Sequence, residues 1–130
     1  MKKIEISAGI IKNGDKVLIG QRKFEDKFGG KWEFPGGKVE PFEDSQICMI
    51  RELKEELDID VMSINEFITY IYTDSISELT IHSYIIDKFL GSLKNLEHEQ
   101  LEWVKIKELR NYDILDADME IIIQLEKEIN

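Results

Sequence analysis

The sequence predicts an α/β fold of the α+β type, in which helices pack on a mixed sheet. Strand-like and helix-like segments follow one another as strands, helix, strands and helix, without a repeat or a linker. Hydrophobic residues make up 42 % of the 130 residues, which is enough for the core of one domain over residues 1–130. No segment is of low complexity, so a disordered chain is excluded.

The first part of the chain predicts a hairpin followed by a loop. Residues 2–12 alternate apolar and polar, and Asn-Gly-Asp at 13–15 is a turn signal before a second strand over 16–23. Residues 24–34 predict a polar loop that ends in a short extended piece, because the residue before a proline avoids the helical region.

The remaining elements are predicted from caps and from β-branched or aromatic runs. They are a helix from Asp44 or Ser45 to residue 57, strands over 59–72, 78–90 and 101–106, and a helix from Asp116 or Asp118 to residue 128. The strand over 59–72 is expected to be interrupted near Asn65.

Charge and cysteine content exclude several classes of function. Seventeen basic and 27 acidic residues leave a net charge of −10, so we expect neither a nucleic acid polymer nor an anionic membrane as partner. Cys48 is the one cysteine, which excludes an intrachain disulfide and favours a reducing compartment. Without a signal peptide or an apolar span, the expected location is cytoplasmic, as a monomer or a homodimer.

The first predicted helix carries its apolar side chains along one arc. At roughly 100° per residue around the axis, these side chains are expected to pack on the sheet. They are Ile47, Met49, Ile50, Leu53 and Leu57.

Three carboxylates crowd the rest of this helix. Glu52 precedes Glu55 by three residues and Glu56 by four, and each like-charged pair costs roughly 0.2–0.5 kcal/mol. Arg51 offsets part of this cost at the i,i+4 spacing to Glu55. The cluster is either a solvated acidic face or a site for a hard cation such as Mg²⁺, Mn²⁺ or Ca²⁺. Gly36-Gly37 ahead of the helix favours the second alternative, since glycines let the backbone approach a metal or a phosphate.

The stretch 37–59 resembles the Nudix box, whose pattern is G-x5-E-x7-R-E-U-x-E-E-x-G-U with U a bulky aliphatic residue. Gly37, Glu43 and Arg51-Glu52-Leu53-Lys54-Glu55-Glu56-Leu57-Asp58-Ile59 match it except at Asp58, where the family has glycine. That glycine would end the helix with a positive φ, a conformation that Asp also tolerates. The resemblance implies a Nudix α/β/α sandwich. It also implies hydrolysis of a nucleoside diphosphate linked to another group, with Mg²⁺ or in its place Mn²⁺.

The resemblance also implies roles for the residues of the box. The metal ligands that it implies are the Gly37 carbonyl, Glu52, Glu55 and Glu56. It implies that Arg51 orients a box glutamate by a salt bridge and that Glu43 is a supporting carboxylate.

Residues 32–40 and 18–23 are similar to the corresponding segments of MutT-like members, which convert a nucleoside triphosphate to the monophosphate and pyrophosphate. Some of these act on oxidised nucleotides such as 8-oxo-dGTP, and others prefer cytidine nucleotides. The likeness implies that Glu99 is a loop carboxylate that binds metal or serves as general base, with Glu97 as the competing candidate. Arg22 is expected to contact phosphate or base, or else to be an exposed strand end. Asp118 is expected to read the base or to cap a helix, and an ionised carboxylate there would favour donor edges such as an exocyclic amine.

Aromatic and histidine side chains are open to two interpretations. Phe34 and Tyr84 either stack on a base or belong to the core, and Trp103 is expected in the core. His82 and His98 have no partner at metal-ligand spacing and are expected to be ordinary surface or strand residues.

Other functions remain as alternatives at this point. ADP-ribose and NADH hydrolases of the family resemble one another in prolines beyond the box, and this chain has only Pro35 and Pro41. Dinucleoside-polyphosphate hydrolases tend to carry a tyrosine where Ile76 and Ser77 stand here. A nucleotide sensor without catalysis, or a cation site without turnover, would keep the fold, but sensors usually lose box glutamates.

Overall fold

A computed structural model of the chain describes residues 1–128. Its elements in chain order are β1 (Lys2–Asn13), β2 (Lys16–Gln21), β3 (Trp32–Glu33), β4 (Gly36–Lys38), α1 (Ser45–Leu57), β5 (Asp60–Thr73), β6 (Ser77–Leu90), β7 (Gln100–Lys105) and α2 (Met119–Glu128). Two 3₁₀ turns, Ile106–Asn111 and Asp116–Asp118, lie between β7 and α2. The predicted order of strands and helices is confirmed, whereas β4 and the first 3₁₀ turn were not predicted.

The strands form a seven-stranded mixed sheet with the order β3-β2-β1-β6-β5. β1 runs parallel to β6, and it pairs antiparallel with both β2 and β4. β7 pairs antiparallel with β2, and β5 with β6. The interruption expected near Asn65 appears as register shifts in the pairing of β5, while the strand itself continues to Thr73.

The two helices cover opposite faces of the sheet. Ile10 belongs to the core cluster that includes Ile121 and Ile122 of α2, whereas Ile11 belongs to the cluster of Met49 and Leu53 of α1. Because successive side chains of a strand point to opposite faces, these two clusters lie on the two sides of the sheet. The fold is therefore the mixed α+β sandwich that the sequence predicts.

The helix α1 is rotated relative to the expected arc. Ile47 and Ile50 are 54 % and 40 % exposed, so the expectation that they pack on the sheet is wrong. The buried side chains of α1 are Cys48, Met49, Leu53, Glu56 and Leu57. Met49, Leu53 and Glu56 follow the i,i+4,i+7 spacing of one helical stripe. The apolar arc predicted for α1 was broader than the part of the helix that packs on the sheet. The rotation of α1 about its axis places Glu56 on the side that faces the sheet.

Both ends of α1 are capped by aspartates. The Asp44 carboxylate accepts a hydrogen bond from the Ile47 N–H at 2.8 Å. Asp58 adopts the left-handed conformation with φ 56° and donates its N–H to the Lys54 carbonyl at 3.0 Å. Its carboxylate also pairs with Lys54 and Lys94 at 3.2 Å each. The expectation that Asp58 takes the conformation of the usual glycine is confirmed.

The exposure of Trp103 differs from the second expectation, that this side chain lies in the core. Its side chain is 37 % exposed, so the prediction that it belongs to the core is wrong. It lies on β7, which pairs with β2 alone among the described strands, at the margin of the sheet. Within residues 1–128, no helix is long and apolar enough to cross a membrane.

Candidate active site

The carboxylates of α1 lie beside β4, with Glu56 on the buried side. Glu56 is 5 % exposed, and its Oε2 atom is buried without a hydrogen-bond partner among the described residues. Burial, followed by the neighbouring Glu52 carboxyl, raises the pKa of Glu56 far above its ordinary value. An unpartnered buried carboxylate is costly, so Glu56 is destabilising in the absence of a cation.

Gly37 brings the backbone of β4 directly against Glu52. A Cβ atom at Gly37 would stand 2.5 Å from the Glu52 carboxylate. A larger residue at position 37 would therefore displace the Glu52 carboxylate from its place beside β4. The position places the Gly37 backbone beside the acidic cluster, as the sequence predicts.

These residues fit a hard divalent cation. An orphaned carboxylate oxygen, a second carboxylate beside it and a close backbone strand supply the oxygen donors that Mg²⁺ and Mn²⁺ prefer. As the side chains stand, no three His, Cys, Asp or Glu residues within the described chain converge closely enough to hold a metal. Glu55 explains part of this, because its side chain is 58 % exposed and bound to Arg51.

Arg51 organises the outer part of the cluster. Its guanidinium lies 2.6 Å from Glu43, 3.1 Å from Glu52 and 3.2 Å from Glu55. The hydrogen bond from Arg51 lowers the pKa of Glu43 to about 2, with a further contribution from the Glu40 backbone N–H. The planar fork of arginine suits such multiple carboxylate contacts. Arg51 thus contacts three box glutamates at once, in the geometry of an orienting residue.

The acidic cluster opens into a cleft of about 240 Å³. Its lining residues are Arg22, Lys23, Asp26, Glu33, Gly36, Glu52, Glu55, Glu56, Glu97 and His98. Basic side chains from the loop after β2 therefore face carboxylates from α1 across the cleft. Such a cleft suits a polyphosphate bound between cations from the protein and a metal.

The loop before β7 places Glu97, and not Glu99, in this cleft. Glu97 is near enough to Glu56 to contribute to its raised pKa. Glu99 donates its backbone N–H to the Gln21 carbonyl at 2.8 Å, one residue before β7 begins, and is not among the lining residues. Of the two candidates for the loop carboxylate, Glu97 lines the cleft and Glu99 does not.

A chain of polar contacts crosses the floor of the cleft. Arg22 Nη1 lies 3.0 Å from Glu33 Oε1, and His98 Nε2 lies 2.9 Å from Glu33 Oε2. His98 Nε2 also lies 3.9 Å from Glu56 Oε1. His98 is 5 % exposed, so the expectation of an ordinary surface or strand histidine is wrong. Sequence reasoning also missed Glu33, although it lies in the stretch 32–40 ahead of the box.

A second cavity of about 360 Å³ adjoins the first and shares Arg22 and Glu33 with it. Its walls include Ile4, Ile6, Phe28, Leu79, Ile81, Ala117 and Asp118. Asp118 Oδ2 accepts the Phe34 N–H at 2.9 Å, so the carboxylate reaches across the fold instead of capping α2. Burial raises the pKa of Asp118 to about 7.

Phe34 contributes through its backbone and not through its ring. The ring is 4 % exposed and lies in the core, as does that of Tyr84 at 4 %. The Phe34 ring is therefore not free to stack on a base, and the core alternative is confirmed for both residues. Its N–H instead holds the Asp118 carboxylate in the second cavity.

Comparison with known proteins identifies the family of the chain. The family model of the NUDIX domain matches residues 3–125. The chain is 34 % identical over 123 residues to the CTP pyrophosphohydrolase of Escherichia coli K12, covering 94 % of this chain and 90 % of that protein. It is 29 % identical over 128 residues to the 8-oxo-dGTP diphosphatase of the same strain, covering 98 % and 99 %. A solved MutT structure, from work on Aliivibrio salmonicida and Vibrio cholerae, superposes with a TM-score of 0.85 at 36 % identity over 98 % of this chain and 99 % of that one.

Proposed function

Since the chain belongs to the NUDIX family, we propose that its cleft hydrolyses nucleoside triphosphates to a nucleoside monophosphate and pyrophosphate. The chain is a hydrolase of phosphorus anhydrides, of the type that sanitises the nucleotide pool. The observation that carries the proposal is the joining of two cavities at Arg22 and Glu33. One cavity holds the acidic cluster, and the other combines apolar walls with the buried carboxyl of Asp118 and with charged side chains that include Lys27, Lys38 and Asp74. The two sections suit a polyphosphate and a nucleoside.

Nudix hydrolases in general use divalent metal ions, and we propose Mg²⁺ here, with Mn²⁺ as a substitute. The residues that would hold it are Glu52, Glu55, Glu56 and the Gly37 carbonyl. When bound, such a cation neutralises phosphate oxygens and lowers the pKa of a bound water. The unpartnered Oε2 of Glu56 supports this assignment most directly.

Other side chains of the cleft are proposed to bind the phosphate oxygens, to orient the box glutamates and to accept a proton from the attacking water. Arg22 and Lys23 line the cleft and supply positive charge for phosphate oxygens. Arg51 holds Glu52 and Glu55, so that their carboxylates are not free to rotate. Glu97 is proposed to accept the proton of the attacking water, because a carboxylate in the cleft outside α1 is suited to a general base.

Asp118 is proposed to select the base. Above its pKa of about 7, the Asp118 carboxyl is ionised and accepts hydrogen bonds only, so it then favours an exocyclic amine such as cytosine N4 or guanine N2 over the carbonyl of uracil or thymine. One relative is named a CTP pyrophosphohydrolase and another an 8-oxo-dGTP diphosphatase, and both bases carry such an amine. The acceptor at Asp118 favours bases with an exocyclic amine, and the higher identity to the CTP pyrophosphohydrolase makes cytidine nucleotides the first candidates, with 8-oxo-dGTP as the second.

A panel of substrates tests the proposal. Ribo- and deoxynucleoside triphosphates, 8-oxo-dGTP, 5-methyl-dCTP, ADP-ribose and a dinucleoside polyphosphate are each incubated with Mg²⁺ and with EDTA. Pyrophosphate release from one or a few triphosphates, abolished by EDTA, is the expected result. Cleavage of ADP-ribose or of the dinucleotide alone would contradict the substrate class while leaving the fold intact. A folded protein that binds nucleotides and cleaves none would be a sensor.

A further inference from the structure

We propose that His98 is a positioning residue for this reaction. It holds Glu33, and through Glu33 the guanidinium of Arg22, at the junction of the two cavities. The inference rests on the proposed function only for its kinetic test. Its structural part concerns a buried contact that can be measured without any substrate.

The sheet register explains why His98 can reach Glu33. Gly20 of β2 lies opposite Glu33 of β3 in an antiparallel pair. Directly opposed residues of such a pair point their side chains to the same face of the sheet. Gly20 has no side chain, so a space is left on that face beside Glu33.

The His98 ring occupies the space at Gly20. A Cβ atom at Gly20 would stand 2.6 Å from His98 Cδ2, 2.7 Å from Cγ and 2.9 Å from Nδ1. Three ring atoms at these distances mean that the imidazole lies against the backbone of β2. Any larger residue at position 20 would displace it.

The backbone of His98 is held as firmly as the ring. Asn95 accepts the His98 N–H at 2.9 Å and donates its amide to the His98 carbonyl at 2.8 Å. Glu33 is a carboxylate and accepts, so the His98 Nε2 atom carries a proton and donates to Glu33 Oε2. The other ring nitrogen, Nδ1, is buried without a partner among the described residues. Burial of the unpartnered Nδ1 atom destabilises the protein, and the hydrogen bond from Nε2 to Glu33 offsets part of this cost.

The contact determines where the cation of Arg22 lies. Glu33 uses one carboxylate oxygen for His98 and the other for Arg22 Nη1 at 3.0 Å. Arg22 Nε donates to the Lys27 carbonyl at 2.7 Å, which fixes the guanidinium from its other side. Loss of the His98 bond would leave Glu33 free to rotate, so that the Lys27 carbonyl alone among these partners would still fix the Arg22 guanidinium. Because Arg22 lines both cavities, we expect substrate binding to suffer first.

The kinetic test compares two replacements of His98. His98→Leu removes the donor at similar volume, whereas His98→Gln retains an amide N–H that can reach Glu33. We expect His98→Leu to raise KM for the triphosphate about 10- to 100-fold with a much smaller change in kcat, because a misplaced binding cation weakens ground state and transition state together. His98→Gln should restore most of the loss. His82→Gln is the matched control, because His82 also contacts a carboxylate, Glu5, at 2.8 Å but lies outside the cleft.

Gly20→Ala is an independent perturbation, since it displaces the ring without altering any polar group. We expect it to reproduce the KM effect of His98→Leu. The proposal is overturned if folded His98→Leu has the KM of the wild type. It is also overturned if His98→Gln is as impaired as His98→Leu, or if kcat alone falls. No turnover by the wild type would count against the proposed function and not against the contact.

The contact itself can be measured by NMR on the wild type. The chain has two histidines, so ¹⁵N-labelled imidazoles give two sets of signals, and His82→Gln assigns them. We expect His98 as the single tautomer protonated at Nε2, with an imidazole N–H that is protected from exchange in the wild type and loses this protection in Glu33→Leu, which has no acceptor, or in Gly20→Ala. A rapidly exchanging His98 N–H in the wild type would contradict the proposed contact, whatever the variants do.

Discussion

Asp118→Asn should stabilise the protein, and the gain should grow with pH. Burial raises the pKa of Asp118 from 3.8 to about 7. At 1.36 kcal/mol per pKa unit, this corresponds to about 4 kcal/mol of stability lost once the group is ionised. As pH rises from about 4 to about 7, the unfolded chain releases a proton that the folded chain keeps, so the wild type loses stability over this range. Asparagine removes that loss, and its amide oxygen can still accept the Phe34 N–H.

The assay is urea denaturation of both proteins at pH 5.5 and pH 8, with EDTA present throughout. The pH-dependent part of the increase in the free energy of unfolding of Asp118→Asn over the wild type is about 2 kcal/mol at pH 5.5 and about 4 kcal/mol at pH 8. Contributions from the other carboxylates are common to both proteins and cancel. Asp116→Asn, at an exposed position two residues earlier, controls for the loss of one negative charge. A gain that is equal at the two pH values, or a loss of stability at pH 8, would refute the reasoning.

The remaining predictions concern the acidic cluster. Glu56→Gln should lower kcat/KM at least about 100-fold, because metal coordination supplies several kcal/mol, while urea denaturation in EDTA shows equal or higher stability than the wild type. Arg51→Lys should lower kcat about 10- to 100-fold, since lysine cannot contact two glutamates as a planar fork, and initial rates at saturating substrate measure this. Glu97→Gln should lower kcat about 10- to 100-fold, whereas Glu99→Gln should leave kcat near that of the wild type. A larger loss of kcat in Glu99→Gln than in Glu97→Gln would instead indicate Glu99 as the loop carboxylate. Mg²⁺ at 100 times its Kd should raise the free energy of unfolding by about 2.7 kcal/mol in the wild type and much less in Glu56→Gln.

The elements that could be predicted are those with a local signal. Alternation, caps and β-branched runs predicted β1, both helices and the long strands, because these signals act over a few residues. The spacing of Glu52, Glu55 and Glu56 predicted a cation site, because helical geometry places residues three and four apart side by side. The left-handed conformation of Asp58 followed from the resemblance to the Nudix box, which has glycine at that position.

The elements that could not be predicted depend on contacts distant in sequence. The exposure of Ile47 is set by the rotation of α1 on the sheet, which periodicity alone does not define. Glu97 and Glu99 lie in a loop. A loop lacks the regular periodicity of a helix or a strand, so the sequence does not show which of the two side chains points into the cleft. His98 is buried because Gly20 leaves a space opposite Glu33, a coincidence of three segments that becomes visible only in the sheet register.

The most direct test of the central claim is the identity of the products. The wild-type chain is incubated with Mg²⁺ and its best triphosphate substrate, and the mixture is followed by ³¹P NMR. We predict pyrophosphate and nucleoside monophosphate in equal amounts, with neither formed in EDTA. Nucleoside diphosphate with orthophosphate, or turnover that persists without divalent metal, would contradict the account.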